Sequence, residues 1–188
     1  WYNAARVTLS HICLKDIALP SPVPTATYAP TTARPTMLDL LLSDTLTASD
    51  AEPGDYFGYS VAISGDTVVA GAPYDSNSGS AYIFRMTDGG ASSVEVVKLK
   101  AADAAAGEFF GHSVAIDGNT IVIGAPYNDD AGSYSGSAYV FRTTDGGATY
   151  GQVANLTASD AAAGDNFGWS VAIAGNTVVV GAPGTRSF

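Results

Sequence analysis

Short runs in which hydrophobic and polar side chains alternate recur through most of the chain. Between 59 and 64, Val61 and Ile63 alternate with smaller or polar residues, which is the period-two pattern of a half-buried strand. Three further strands are predicted from β-branched and aromatic residues at 67–71, 79–85 and 94–100. Because no stretch shows helical periodicity, the pattern predicts an all-β fold.

Glycine beside Asp or Asn separates the first two predicted strands. The segment Ser64-Gly65-Asp66 has two later counterparts, Asp117-Gly118-Asn119 and Ala174-Gly175-Asn176. Glycine, Asn and Asp tolerate the positive φ of a tight hairpin turn. We therefore expect the first two strands of each copy to form an antiparallel hairpin.

The whole pattern is a tandem repeat. FGYSVAISGDTVVAGAP begins at 57, FGHSVAIDGNTIVIGAP at 110 and FGWSVAIAGNTVVVGAP at 167. The second copy is four residues longer than the first, and the extra residues fall in the polar loop between GAP and SGSAY. Length variation confined to one loop is typical of a surface loop on a fixed scaffold. A repeated four-stranded antiparallel unit of this length predicts a β-propeller blade.

Two sets of residues are expected where blades meet. The Phe of each Phe-Gly pair would fill the gap between consecutive blades, and its Gly would permit a tight backbone turn. Small residues of the second strand would lie where blades crowd together, namely Gly71, Ala72, Gly124 and Ala125.

These units resemble FG-GAP repeats, the blade type of integrin α-subunit propellers and of many secreted or surface proteins. Three Phe-Gly and three Gly-Ala-Pro motifs in register, over about three-quarters of the chain, carry the resemblance. It implies an all-β fold, a β-propeller fragment of four-stranded antiparallel blades in tandem. It also implies an extracellular or cell-surface location and a role in adhesion.

The array does not cover the whole sequence. We divide the chain into an undefined segment (1–19), a Pro/Thr-rich linker (20–36) and the array (37–188), which comprises a partial blade (37–56), two blades (57–109 and 110–166) and a second partial blade (167–188). The apolar stretch 37–46 is either the outer strand of a preceding blade or a short helix. No signal peptide is evident in 1–19, and we expect the chain to be a fragment of a longer propeller. The remaining blades would then be its partners within the same protein.

Charge is concentrated on the array. The sequence has 18 acidic and 8 basic residues, a net charge of −10, and those before residue 46 cancel. An acidic surface argues against nucleic acid as a partner, because such binding needs clustered Lys and Arg. No apolar run approaches the roughly 18 residues of a membrane span. The single cysteine, Cys13, rules out an internal disulfide.

The resemblance raises the question of calcium. Integrin-type repeats carry an Asp-rich calcium loop between Phe-Gly and Gly-Ala-Pro, but here that interval contains only a tight hairpin. A second possibility is the loop after Gly-Ala-Pro, where the candidate ligands are Asp75, Asn77, Asn128, Asp129 and Asp130. Calcium takes six to eight oxygen ligands, which such loops supply. The alternative is that these side chains form Asx turns on a solvated loop.

Acidic pairs also precede each Phe-Gly. They are Asp50 with Asp55, Asp103 with Glu108 and Asp160 with Asp165. We expect them to cap turn backbone at a blade junction rather than to bind metal. The segment from Thr143 to Tyr150 resembles the Asp-box of sialidase-like propellers, and we expect a turn between the third and fourth strands there.

No catalytic set is evident. Ser60, Ser113 and Ser170 occupy equal places in every copy, and a residue repeated in each blade is expected to be structural. His112 stands where the other copies have Tyr59 and Trp169, which predicts an aromatic packing role. The sequence Asn155-Leu156-Thr157 is an N-glycosylation motif, relevant if the protein enters a secretory pathway.

Two functions follow from these observations. The first is a non-enzymatic surface or secreted module whose loops bind a protein or a glycan. The second is the scaffold part of a secreted hydrolase or lyase whose catalytic residues lie outside this sequence, because fold does not fix function. An attached catalytic domain in the flanking sequence would favour the second.

Overall fold

The computed structural model describes residues 7–8, 45–90 and 92–184. These residues form an all-β structure, and within them there is no helix long and apolar enough to cross a membrane. The first complete sheet consists of β3 (Ser60–Ser64), β4 (Thr67–Ala72), β5 (Ser80–Thr87) and β6 (Ser92–Leu99). The second consists of β7 (Ser113–Asp117), β8 (Thr120–Ala125), β9 (Ser137–Arg142) and β10 (Gly151–Leu156). Two strand pairs complete the fold, β1 (Val7–Thr8) with β2 (Thr45–Leu46) and β11 (Ser170–Ala174) with β12 (Thr177–Gly181).

Both complete sheets are antiparallel, and their strands follow one another in chain order. The Ser64–Thr67 pair closes the first hairpin around Gly65, whose φ of 57° is the positive value expected from the sequence. Gly118 and Gly175 repeat this turn with φ of 54° and 55°. The predicted fold class, tandem four-stranded antiparallel blades, is thereby confirmed.

The stretch 37–46 ends in a strand. Its described part, Thr45–Leu46, pairs with Val7–Thr8 in antiparallel register. Leu46 occupies the place that Leu99 has in β6, so β2 corresponds to the outer strand of a sheet. The pairing brings part of segment 1–19 against the array, a contact that no sequence pattern predicted. The Pro/Thr-rich linker at 20–36 lies outside the described residues.

A buried phenylalanine fills the first two junctions between neighbouring units, as predicted. Phe110 is completely buried, and it belongs to a core that draws Ile83 and Leu99 from the first sheet and Ile121 from the second. Its ring meets Tyr139 and Phe141 edge-on, with centroids 5.5 and 5.9 Å apart. Burial of one such side chain contributes roughly 1.5–3 kcal/mol. Phe57 repeats the arrangement, with centroids 5.5 Å from Tyr82 and 5.9 Å from Phe84.

Phe167 departs from the expectation that all three rings are equally buried, since it is only half-buried. The described part of the third unit comprises β11 and β12. The strand that would supply counterparts of Tyr82 and Phe84 is therefore not among the described residues.

Backbone contacts join one unit to the next. Gly79 forms a parallel bridge with Phe110, and the Phe110 amide donates to the Ser78 carbonyl at 3.0 Å. The Ser60 hydroxyl donates to the Gly111 carbonyl at 2.8 Å. The following junction repeats these contacts with Gly136, Phe167, Ser135, Ser113 and Gly168. The recurring serines Ser60 and Ser113 are thus structural, as predicted.

The glycine of Gly-Ala-Pro is required by this junction. A Cβ at Gly71 would overlap the Gly111 carbonyl oxygen, and a Cβ at Gly124 would overlap the Gly168 carbonyl oxygen. In each case the obstacle is backbone of the next unit, which cannot rotate away as a side chain does. The glycine of the motif therefore marks a place where the backbones of two units crowd together, as expected from the sequence.

Candidate functional site

A continuous series of aromatic rings lies at one end of the sheets. Its members come from the loops before the first strand and after the second strand of each unit. We call this series the aromatic row, and it consists of Tyr56, Tyr74, Phe109, Tyr127, Tyr134, Trp169, His112 and Tyr59. Consecutive centroids are 4.7 Å apart for Tyr56–Tyr74, 4.5 Å for Tyr74–Phe109 and 5.0 Å for Phe109–Tyr127. The row crosses from the first unit through the second to the third.

Most of the row faces solvent. Five of its rings are between 41% and 55% exposed, namely Tyr56, Tyr59, Tyr74, Tyr134 and Trp169. Tyrosine and tryptophan combine a large apolar area with a polar group, and they are enriched in protein interfaces. Contiguous exposed aromatic surface of this kind marks interaction sites more often than single exposed rings do.

Three rings of the row lie on left-handed backbone, including that of Tyr134 with φ of 55°. Tyr56 has φ of 56° and Phe109 has φ of 58°, both in the left-handed region. In the third unit the same position, directly before Phe-Gly, is Asn166 with φ of 54°. Asn tolerates this conformation, whereas a bulky side chain is strained there, at a cost of about 1–2 kcal/mol. The strain therefore lies at positions whose side chains form the row.

His112 has the packing role that its position predicts. Its ring centroid lies 5.1 Å from that of Tyr59 and 4.7 Å from that of Trp169. Nδ1 is 3.3 Å from the Trp169 carbonyl oxygen, to which the Nδ1–H tautomer donates. Burial lowers the pKa of His112, so the ring is predominantly neutral at pH 7 and packs as an aromatic group.

A polar cluster lies on the first sheet beside the candidate loop at 75–79. We call it the Lys98 cluster, and it comprises Lys98, Asp50, Asp75 and Tyr82. The Lys98 ammonium lies 2.6 Å from Asp50 Oδ2 and 2.5 Å from Asp75 Oδ2. The Tyr82 hydroxyl lies 2.8 Å from Asp50 Oδ1 and 2.9 Å from Asp75 Oδ2, so one proton serves two carboxylates. The Lys98 ammonium thus binds Asp75, which was predicted as a calcium ligand.

The electrostatics of the Lys98 cluster favour its ionised form. Burial raises the pKa of Asp75, but hydrogen bonds from Lys98, Ser76 and Tyr82 outweigh burial and lower this pKa to about 2. The hydrogen bond from Lys98 lowers the pKa of Asp50. Burial lowers the pKa of Lys98, and its two carboxylate partners reverse that effect and raise it.

At the same place, the second unit has neutral side chains at two of the positions that are charged in the Lys98 cluster. Asn128 stands for Asp75, and Asn155 stands for Lys98. The Asn128 amide donates to Glu108 Oε1 at 2.9 Å and to the Tyr139 hydroxyl at 3.2 Å. Asn155 Nδ2 donates to Asp103 Oδ2 at 3.1 Å, as Lys98 does to Asp50. Burial raises the pKa of Glu108, and Asp130 and Asp103 add to the effect.

The five candidate calcium ligands are distributed between buried and exposed positions. Asp75 and Asn128 are buried in the contacts just described, while Asn77, Asp129 and Asp130 are exposed. Asn128 Oδ1 accepts from the Asp130 amide at 3.0 Å, and Asp129 Oδ1 accepts from the Tyr134 amide at 2.7 Å. These are the turn-forming bonds of the alternative interpretation. Across 7–8, 45–90 and 92–184, no three His, Cys, Asp or Glu side chains are arranged to hold a metal ion.

Calcium binding at these loops stays a prediction, and the contacts restrict it to the second loop. If calcium binds there, calorimetric titration should give a Kd of roughly 10⁻⁴–10⁻³ M, and the Asp129→Ala/Asp130→Ala variant should lose that heat. The Lys98 ammonium already neutralises Asp75, so the first loop should contribute nothing. Equal heat in the wild type and the double variant, or no heat in the wild type, would leave only the turn-forming role.

The second member of each acidic pair before Phe-Gly caps backbone, as predicted, whereas Asp50 and Asp103 accept from side chains. Asp55 Oδ2 accepts from the Glu52 amide at 2.7 Å, and Glu108 Oε2 accepts from the Ala105 amide at 2.8 Å. Asp165 Oδ2 repeats the contact with the Ala162 amide at 2.8 Å. A carboxylate therefore closes the same turn in all three units.

The Asp-box-like segment is the turn between β9 and β10. The hydrogen bond from the Thr149 hydroxyl to Asp145 Oδ2, at 2.6 Å, lowers the pKa of Asp145. The amides of Thr149 and Ala148, which donate to Asp145 Oδ1 at 3.0 Å, lower it further. Arg85 of the first sheet donates to the Gly146 carbonyl at 2.8 Å. The turn is thus structural, and it also binds the neighbouring sheet.

Sequence reasoning missed two features of the site. The Lys98 cluster joins Lys98 to carboxylates 23 and 48 positions earlier in the chain, and the repeat alone indicated neither contact. The aromatic row has one signal in the sequence, because the residue before Phe-Gly is aromatic in the first two units.

Comparison with protein-family models identifies the repeat. The family model described as FG-GAP repeat matches residues 43–84, 94–141 and 150–187, which together make up more than half of the chain. No curated protein matches the sequence. Each matched segment begins at the outer strand of one sheet (β2, β6 or β10) and continues across the junction into the next unit. The chain therefore belongs to the FG-GAP repeat family.

Proposed function

We propose that this β-propeller module is non-enzymatic and binds a protein ligand through the aromatic row, in adhesion at the cell surface or outside the cell. The observation that carries the proposal is the continuity of the row across three units with five exposed rings. The extracellular setting is the one that the family resemblance implies.

The backbone strain supports a selected role for the row. In the third unit the position before Phe-Gly is Asn166, a residue type that tolerates the left-handed backbone found there. Tyr56 and Phe109 occupy equivalent positions at a conformational cost. Strained residues that persist in this way cluster at functional sites.

The ring geometry favours a protein over a glycan. A sugar stacks flat on an open aromatic face, but rings of this row cover one another with centroids 4.5–5.3 Å apart. Their contacts are tilted or edge-on, which leaves ring edges, hydroxyl groups and slots between rings. Such a corrugated surface suits protein side chains, which supply most contacts at interface centres.

The third unit indicates which substitution to test, because it has Asn at the position of Tyr56 and Phe109. Tyr56→Asn and Phe109→Asn each remove a ring and install the residue that Asn166 already provides on the same backbone. We expect both variants to fold with unchanged or slightly higher stability. Peptides selected from a random display library on the wild-type chain should bind the double variant at least tenfold more weakly, a loss of about 1.4 kcal/mol.

The control is Val94→Thr, which changes an equally exposed residue on the outer strand of the first sheet. It should bind the selected peptides as the wild type does. A glycan array probed with the same proteins should show no signal that depends on the row. Peptide affinity unaffected by the double variant, or glycan binding lost with it, would contradict the proposal.

A further inference from the structure

The sequence contains one Asn-x-Ser/Thr motif, and the structure places it on an accessible edge. Asn155-Leu156-Thr157 begins in β10, which is the outermost strand in the order β10-β9-β8-β7. Asn155 and Thr157 are both exposed. The strand is held by its backbone pairing to β9, in which Asn155 lies opposite Tyr139. A group attached to the Asn155 side chain therefore leaves the sheet intact.

The Asn155 amide points to loops and not into the core. Its Nδ2 donates to Asp103 Oδ2 at 3.1 Å and to Asp130 Oδ2 at 3.4 Å, and both bonds are exposed. The equivalent residue of the first unit, Lys98, instead reaches the buried carboxylate of Asp75. Of the two equivalent positions, only that of the second unit leaves its side chain free to carry a large substituent.

We propose that Asn155 is a site of N-linked glycosylation. The donor is an oligosaccharide on a polyprenyl diphosphate. The bond from the sugar C1 to the diphosphate oxygen breaks, and a bond from C1 to Asn155 Nδ2 forms. The amide nitrogen loses one proton to a base of the transferase, and the polyprenyl diphosphate leaves with the bonding electrons.

The modified side chain retains part of its present bonding. A glycosylated amide keeps one N–H, which donates to Asp103 or to Asp130 while the sugar extends into solvent. Asp130 lies in the loop that also carries Tyr127 and Tyr134. The oligosaccharide thus flanks the part of the aromatic row that the second unit supplies. This inference rests on the extracellular location in the proposed function.

The test uses the full chain behind a cleavable signal peptide in a eukaryotic secretory host. A C-terminal tag with its own glycosylation motif reports entry and transfer in the same molecule. Intact mass before and after peptide N-glycosidase F should show two oligosaccharides on the wild type and one on Asn155→Gln or Thr157→Ala. Thr157→Ser, which keeps the motif, should carry two. The enzyme leaves Asp in place of the glycosylated Asn, so peptide mass spectra should show that conversion at 155.

A wild-type chain that is glycosylated on the tag and not at Asn155 overturns the proposal. Unglycosylated Asn155→Gln should unfold at the same denaturant concentration as the unglycosylated wild type, as ordinary surface substitutions do. A lower unfolding midpoint means that the side chain is structural and contradicts the inference. Failure of the peptide-binding test in unglycosylated protein would count against the proposed function alone.

Discussion

Gly71→Ala is expected to destabilise the chain by more than about 3 kcal/mol, or to prevent folding. The added Cβ would overlap the backbone carbonyl of Gly111 and the hydroxyl of Ser60. The carbonyl belongs to the next unit and is fixed by the bridge between Gly79 and Phe110, so the two sheets must separate to admit a methyl group. Denaturant unfolding followed by circular dichroism measures the loss.

Gly151→Ala is the matched control for this substitution. Gly151 lies at the start of β10, its φ is not positive, and a Cβ there meets nothing within 4 Å. Replacement should be neutral or should stabilise by about 0.4–1 kcal/mol, because alanine restricts the unfolded chain. Similar unfolding midpoints for the two variants would show that the junction is looser than the backbone contacts indicate.

Lys98→Asn is expected to cost about 3 kcal/mol, because it leaves the buried Asp75 carboxylate without its cation. Asp75→Asn should cost less, since Lys98 keeps Asp50, which is half-exposed, as a partner. The double variant copies Asn128 and Asn155 of the second unit. It should lose less than the sum of the single variants by about 1–3 kcal/mol in a double-mutant cycle of urea unfolding.

The pH dependence of stability gives a second readout of the same pair. The pKa of Asp75 falls from an ordinary value of 3.8 to about 2 on folding. Its contribution is therefore fully present above about pH 4 and is lost as the pH falls through 2. Glu108, whose pKa is raised, acts in the opposite direction and is unchanged in these variants. Additive losses, or equal acid sensitivity in the wild type and Asp75→Asn, would contradict the assigned ion pair.

Local patterns predicted the strands well because each is specified by adjacent residues. The alternation of Val61 and Ile63 placed a strand at 59–64, and the structure has it at Ser60–Ser64. The turn at Gly65 followed from the one residue type that accepts its backbone without strain. The burial of Phe110 between two sheets followed from the repeat, since one unit cannot cover its own faces.

Features that depend on several loops were not accessible from the sequence. Asp75 was predicted as a calcium ligand because its actual cation partner, Lys98, lies 23 positions away on an outer strand. No local pattern connects the two residues. The second unit replaces both residues by Asn, which removes any repeated signal for the pair. Likewise, no sequence pattern predicts the left-handed backbone of Tyr56 and Phe109. Of the three equivalent residues, only Asn166 is of a type that favours this conformation.

The junction between units has a consequence for how such arrays grow. Both halves of the joint lie within one unit, with Phe-Gly and the following serine at its start and Gly-Ala-Pro and the bridging glycine further on. A duplicated unit therefore contains the residues that contact the preceding unit and those that contact the following one. Because the joint is made mostly of backbone atoms, sequence drift elsewhere in the unit leaves it usable. Lineages can thus lengthen a loop or change the rings of one copy while the number of copies varies independently.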